Sequence, residues 1–121
     1  MEIDLTELCR TSDGIVEFAP FSIIFEENSP GDYMYVLLEG EVTVSIKGTD
    51  VWQIRKGEIF GEMALIDQRL RSATAIARTS VRAVRIDDAR FLSMVQQKPY
   101  FSLHVMRVMA ARLRAMDDTI S

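Results

Sequence analysis

Gly61, Glu62 and Arg71 lie close together in the middle of the chain, and as a set their residue types suit the binding of a small anionic molecule. Gly61 precedes a short helical run, where a missing side chain lets the backbone approach a ligand and unpaired amides favour negative charge. Arg71 follows, and its planar guanidinium matches two oxygens of a phosphate. Glu62 would repel a phosphate, but its carboxylate accepts hydrogen bonds from a ribose hydroxyl. Together these residues predict a site for a sugar phosphate.

Each of these residues also has a purely structural interpretation, and Gly61, like Ala64, can be small for packing alone. Arg71 can be a surface arginine paired with Asp67 or Glu62, and Arg69 is a second candidate for the phosphate. Glu62 can instead stabilise the start of a helix through the helix dipole. Ser72, which follows Arg71, can be a strand serine that faces solvent.

Length and composition limit the classes of protein. A chain of 121 residues with 48% hydrophobic residues can bury one core, so we expect a single domain over residues 1–121. The net charge of -4 argues against a broad nucleic-acid surface. Glu2 and Asp4 stand where a secretory signal carries Lys or Arg, and no segment reaches the roughly 20 apolar residues of a membrane span. We therefore expect a cytoplasmic protein without membrane contact.

The chain lacks the side chains for the enzyme classes that this pattern of strands could support. His104 is the only histidine, so a metal held by several His and carboxylate side chains on facing strands cannot form. Cys9 is the single cysteine, which excludes an internal disulfide. Cys9 and His104 lie in opposite terminal segments, and no G-x-S-x-G turn occurs. We therefore predict no enzymatic activity and no metal site.

From Gly14 to Ile86 the alternation of apolar and polar residues, broken by short turns, predicts mainly strands. In Glu41–Lys47 the apolar side chains all face one way, so we expect one packed and one wet face. Many short strands indicate a sandwich or a rolled barrel, because closure removes exposed sheet edges. The other predicted strands are Phe21–Phe25, Tyr33–Leu38, Val51–Ile54, Ser72–Arg78 and Val81–Ile86.

After Ile86 the spacing of apolar residues becomes helical. Asp87 or Asp88 can cap a helix that Pro99 interrupts, and a second helix is predicted from Tyr100 to Asp118. This last helix has two apolar stripes, of which one can pack on the barrel and the other is typical of a dimer seam or a lid. The first stripe is Phe101, Val105 and Val108, and the second is Met106, Met109, Leu113, Met116 and Ile120. A short amphipathic helix is also predicted over residues 3–10.

The segment Phe60–Ala73 resembles the phosphate-binding cassette of cyclic-nucleotide-binding domains. The phrases F-G-E-M-A-L and R-S-A-T, separated by a short loop, are characteristic in combination. The resemblance extends over residues 15–118 and includes Gly40, Gly57 and the break at Pro99. It implies a mainly β fold with flanking helices. This fold is a double-stranded β-helix, or jelly-roll-like β-roll, over about residues 14–86, with two C-terminal helices over about 88–118.

The resemblance also implies roles for individual residues. Arg71 would neutralise the cyclic phosphate of cAMP or cGMP, and Glu62 would accept the ribose 2′-hydroxyl. Backbone or hydroxyl groups of Gly61, Ala64 and Ser72 would surround the same phosphate. The ligand-binding residues expected in full are Gly61, Glu62, Met63, Ala64, Arg71, Ser72 and Ala73. No cofactor is implied besides this ligand.

Three positions depart from the pattern of the family. Leu70 stands where many members have Pro, which leaves the loop less rigid. Asn28 replaces a turn glycine, and Asn tolerates the left-handed backbone that such a turn requires. Near Met116 and Asp117 the chain lacks the Thr and Ser pair that covers the base in the catabolite activator.

The resemblance implies a regulatory sensor in which a bound cyclic nucleotide, cAMP rather than cGMP, repositions the C-terminal helices about a hinge near Pro99. The sensor would act on an effector protein that the sequence does not identify, and it can form a homodimer through the last helix. No direct binding of nucleic acid is expected, because no helix-turn-helix follows residue 118. The alternative is a degenerate β-roll that binds no nucleotide and serves as a protein-interaction domain.

Overall fold

The computed structural model describes the backbone of residues 14–120 and the side chains of residues 14–116. Cys9 and the helix predicted over residues 3–10 lie outside these described residues. The described strands are β1 (Ile15–Phe18), β2 (Ile23–Phe25), β3 (Met34–Glu39), β4 (Val42–Ile46), β5 (Thr49–Ile54), β6 (Ile59–Phe60), β7 (Thr74–Ala77) and β8 (Val81–Ile86). The described helices are α1 (Glu62–Asp67), α2 (Asp88–Gln97) and α3 (Tyr100–Ile120).

The strands form two four-stranded sheets with the orders β1-β8-β3-β6 and β2-β7-β4-β5. Every neighbouring pair of strands is antiparallel. Since the chain passes repeatedly from one sheet to the other, the sheets close into a roll. The predicted mainly β fold with flanking helices is confirmed.

Strand β3 separates the two hydrophobic cores. Tyr35 and Leu37 face the second sheet and pack with residues of β4, β7 and β8. Met34 and Val36 face the other way and pack with buried residues of the three helices. Because both of its faces are buried, β3 is a continuous apolar run rather than an alternating one. The first sheet therefore lies between the second sheet and the helices.

The prediction that one face of Glu41–Lys47 is exposed to solvent is wrong. Thr43 is only 1% exposed and Ser45 only 9% exposed. The Thr43 hydroxyl donates to Gln53 Oε1 at 2.9 Å and accepts from Arg78 Nε at 2.8 Å, so long neighbouring side chains cover this face. Alternation therefore predicted the direction of the side chains but not their burial.

Most strand boundaries differ from the predictions by one or two residues. β2 begins at Ile23 because Ala19–Ser22 forms a turn, in which the Ser22 amide donates to Ala19 O at 3.2 Å. Phe21 adopts a φ of 67° in this turn, which a strand does not permit. The short strands β1 and β6 had not been predicted individually.

The C-terminal helices follow the prediction closely. Asp87 is the N-cap of α2, and its carboxylate accepts from the Arg90 amide at 2.8 Å. Pro99 lies between the end of α2 and the start of α3. On α3 Phe101 and Val105 of the first stripe are buried and Val108 is partly buried, whereas Met106 is 56% and Leu113 52% exposed. Met109, which was assigned to the second stripe, instead packs against the core that β3 forms with the three helices.

Candidate ligand-binding site

The segment between β6 and β7 forms a short helix between two residues in the left-handed conformation. Gly61 caps the start of α1 with a φ of 76°, and Gln68 ends the helix with a φ of 57°. The chain is then fixed to the loop before β3, since the Arg71 amide donates to Ser29 O and the Asn28 amide donates to Arg71 O, both at 2.8 Å. Asn28 has a φ of 69°, as its place in a turn predicts. These contacts hold Arg71 close to Gly61.

Arg71 is buried, so its interpretation as a surface arginine is wrong. Its side chain is 4% exposed, and none of the ion pairs of the described residues includes it. Nη1 donates to Gly61 O at 2.8 Å and Nη2 donates to Tyr33 O at 2.6 Å. Nε is buried without a hydrogen-bond partner among the described residues. A buried guanidinium with a free donor is suited to an anion.

Burial of Arg71 lowers the pKa of its guanidinium below the usual value, whereas nearby Tyr35, Asp32 and Glu62 act in the opposite direction. The group remains charged at neutral pH, because arginine does not lose its proton in proteins. The charge is therefore surrounded by carbonyl oxygens and aromatic rings rather than by a paired carboxylate.

Glu62 is 2% exposed and pairs with Arg112 of α3. Arg112 Nη1 donates to Glu62 Oε1, and Nη2 donates to Ile59 O at 2.6 Å. Glu62 also stands in the first turn of α1, where a carboxylate is favoured by the helix dipole. The last helix is thus bonded directly to the start of α1.

A small cavity of about 40 Å³ lies between the roll and α1. All the residues predicted to bind ligand line it: Gly61, Glu62, Met63, Ala64, Arg71, Ser72 and Ala73. The cavity is smaller than the roughly 300 Å³ at which ligand pockets begin, and Arg112 occupies one of its walls. The structure brings the predicted residues together, and their contact with a ligand stays a prediction.

A family model described as "Cyclic nucleotide-binding domain" matches residues 15–98. The chain belongs to this family. The match covers the whole roll and all of α2, and it includes the segment that joins β6 to β7.

Three known proteins that are similar to this cyclic-nucleotide-binding domain are all longer than this chain. A "CRP-like cAMP-activated global transcriptional regulator" of Mycobacterium tuberculosis is 29% identical over 88% of this chain and 50% of its own length. A "cGMP-dependent protein kinase" of Toxoplasma gondii is 39% identical over 60% of this chain and 7% of its own. The catabolite activator protein of Thermus thermophilus has the same fold, with a TM-score of 0.81 at 22% identity over 97% of this chain and 57% of its own. The chain thus spans half or less of the two curated relatives.

Two further cavities adjoin the small one. An apolar slot of about 290 Å³ lies between β4–β5 and the end of α3, and it shares Trp52 with the small cavity. A groove of about 900 Å³ lies beside the cassette and shares Ala64, Arg71 and Ser72 with the small cavity. The groove is the larger, but it lacks Gly61 and Glu62 and is lined by carboxylates that repel a phosphate: Asp32, Asp87 and Asp88. The small cavity with its slot is therefore the better candidate in this domain.

Several residues that form the cavity were not predicted from the sequence. Phe25, Trp52 and Arg112 line it, and Tyr33 supplies a carbonyl to Arg71. Arg112 lies 50 residues from Glu62 in sequence, so no local spacing could connect them. Arg69, the second candidate for the phosphate, is exposed and lines the larger groove rather than this cavity.

Among the described residues, no group of His, Cys, Asp or Glu side chains is placed to hold a metal ion. Over residues 14–120, no helix combines the length and the apolar character needed to cross a bilayer.

Proposed function

We propose that the domain is a non-enzymatic sensor that binds cAMP in preference to cGMP, with Arg71 on the cyclic phosphate and Glu62 on the ribose hydroxyl. The observation that carries this proposal is the buried guanidinium of Arg71, whose Nε–H has no acceptor among the described residues. A charged phosphate oxygen is the acceptor that such a donor binds most strongly. The mycobacterial relative named as cAMP-activated supports the same ligand class.

The test is the affinity for cAMP, measured by calorimetry, in the parent and in Arg71→Ala. Removing one partner of a buried charge pair costs about 2–5 kcal/mol, so we expect a loss of about 30-fold or more. Arg69→Ala is the matched control, because Arg69 is an exposed arginine two residues away. Equal affinities in the parent and Arg71→Ala would show that the phosphate does not bind at Arg71.

We further propose that the ligand repositions α3. A nucleotide does not fit a cavity of about 40 Å³, and both its ribose hydroxyl and Arg112 are directed at the same carboxylate of Glu62. Ligand entry therefore requires α3 to move relative to α1, and the break at Pro99 between α2 and α3 is the hinge that permits it. A ligand can drive this movement only by binding one helix arrangement more tightly.

Trp52 provides a direct measurement of this movement. It is the single tryptophan, and it lines the slot together with Ala115 and Met116 of α3. We expect saturating cAMP to shift the emission maximum of Trp52, and Arg112→Ala without ligand to shift it in the same direction. An unchanged emission in both cases would contradict a movement of α3.

The preference for cAMP over cGMP rests on the slot beside Trp52. Its lining is mainly apolar, with Lys47 and Thr49 as the polar side chains among the described residues. Guanine carries more polar groups than adenine, and burying a polar group without a partner is unfavourable. We therefore expect the dissociation constant for cGMP to exceed that for cAMP. The kinase relative named as cGMP-dependent makes this comparison necessary.

The alternative function, a nucleotide-free interaction domain, is favoured by the small volume of the cavity. Titration with cAMP and with cGMP separates the two functions, because a ligand that binds only the folded state raises the melting temperature. A melting temperature unchanged by both nucleotides at millimolar concentration would favour the alternative. In either case we propose that the exposed residues of the second stripe, Met106 and Leu113, contact an effector protein or a second copy.

A further inference from the structure

Arg71 lies against an aromatic ring that belongs to a different part of the chain. Its Cζ is 4.1 Å from the centroid of the Phe25 ring, within the range of a cation–π contact. The Phe25 ring is itself held in a stack, at 6.0 Å from Tyr35 and 6.2 Å from Phe60 between centroids. The ring is thus a fixed surface beneath the guanidinium.

Gly31 leaves space next to the Arg71 side chain. A Cβ at this position would lie 2.5 Å from Ala64 Cβ and 2.7 Å from Arg71 Nε, which is closer than such atoms approach. Gly31 is not among the residues with positive φ, so an alanine meets no backbone strain there. The absence of a side chain at Gly31 therefore matters for the space around Arg71 and Ala64.

We propose that Phe25 and Gly31 are positioning residues for Arg71, which hold its guanidinium in the one orientation that leaves Nε–H free for an anionic ligand. Two carbonyls bind the Nη atoms, the ring fixes the plane of the group, and the space at Gly31 accommodates Nε. Preorganisation of this kind raises affinity because the side chain loses no further freedom on binding. The proposal rests on the proposed binding of a cyclic phosphate at Arg71.

The first test is a double-mutant cycle with cAMP as the probe. Phe25→Leu keeps an apolar side chain but removes the π face, and we expect it to weaken binding about three- to thirty-fold in the parent. In the Arg71→Gln background the same change should alter affinity less than twofold, because no cation then lies over the ring. An equal loss in both backgrounds would overturn the proposal, since Phe25 would then act on another part of the ligand. Phe21→Leu is the control, because Phe21 is 74% exposed in the same segment.

The second test needs no ligand. The face of the Phe25 ring shields the Arg71 guanidinium, so the Nε–Hε resonance of Arg71 should lie upfield in ¹⁵N-labelled protein and should move downfield in Phe25→Leu. Arg71→Lys assigns the resonance by removing it. An unmoved resonance would refute the positioning role of Phe25. If the resonance moves but the parent does not bind cAMP, the proposed function fails while the contact stands.

Gly31→Ala distinguishes positioning from loss of packing. The added methyl group would meet both Ala64 and Arg71, and Ala64→Gly in the same chain relieves only the first contact. We expect the double variant Gly31→Ala/Ala64→Gly to have a higher melting temperature than Gly31→Ala. Its affinity for cAMP should nevertheless stay at least tenfold below that of Ala64→Gly alone. Recovery of affinity together with stability would show that Gly31 serves α1 packing and not Arg71.

Discussion

Truncation of Arg112 tests whether its buried ion pair with Glu62 stabilises the packing of α3 on α1. The Glu62 side chain is 3% exposed and that of Arg112 12% exposed, so Arg112→Ala leaves a buried carboxylate without its partner. Such a change costs about 3–5 kcal/mol, and we expect the lower end, because shortening Arg112 lets water reach Glu62. A loss of about 3 kcal/mol is a large part of the roughly 5–15 kcal/mol of a typical domain. It corresponds to a melting temperature lower by about 12 °C.

The measurement is urea unfolding followed by far-ultraviolet circular dichroism. Arg114→Ala is the control, because Arg114 is exposed two residues further along α3, and we expect it to change the free energy of unfolding by less than about 0.5 kcal/mol. Glu62→Gln/Arg112→Met should regain most of the loss, since replacing both charges removes the unpaired one. Equal free energies of unfolding for Arg112→Ala and Arg114→Ala would refute the buried pair.

Three further outcomes follow from the structure. Gly61→Ala combines a left-handed backbone with a Cβ 2.6 Å from Arg71 Nη1, so we expect a loss of about 1–2 kcal/mol in urea unfolding and weaker binding of cAMP in calorimetry. Leu113→Lys places a charge on an exposed apolar residue of α3; if the proposed contact is with a second copy, light scattering should give a dimer for the parent and a monomer for the variant. Burial lowers the pKa of His104 below 6.5, so the unfolded state binds the proton first as pH falls. Between pH 7.5 and 5.5 the parent should therefore lose more stability in urea than His104→Gln does.

The cassette could be predicted from sequence because its contacts are local. Gly61 and Arg71 are ten residues apart, and the Arg71 Nη1 donates to Gly61 O in the folded chain. The left-handed φ of Asn28 and the N-cap at Asp87 are similarly properties of short segments. Residue type and spacing within such a segment contain most of the physical information that determines its structure.

The closure of the site could not be predicted in the same way. Arg112 pairs with Glu62 only because α3 packs across α1, and Phe25 reaches Arg71 only because β2 pairs with β7, the strand that follows Arg71. In sequence, Arg112 is one of several polar residues on a helix, and Phe25 is an ordinary strand aromatic. Burial of Thr43 was mispredicted for the same reason, since the side chains that cover it come from other strands.

Under the proposed movement of α3, the pairing of Glu62 with Arg112 would link the affinity for ligand to the position of α3. If the cavity of about 40 Å³ must open before a nucleotide enters, the free energy that holds Arg112 on Glu62 reduces the observed affinity. By the same linkage, a partner that binds the released α3 strengthens ligand binding. We therefore expect Arg112→Ala to tighten cAMP binding in calorimetry although it lowers the stability of the fold. A fall in both quantities would mean that Arg112 contacts the ligand itself and that the closed cavity is not held by this pair.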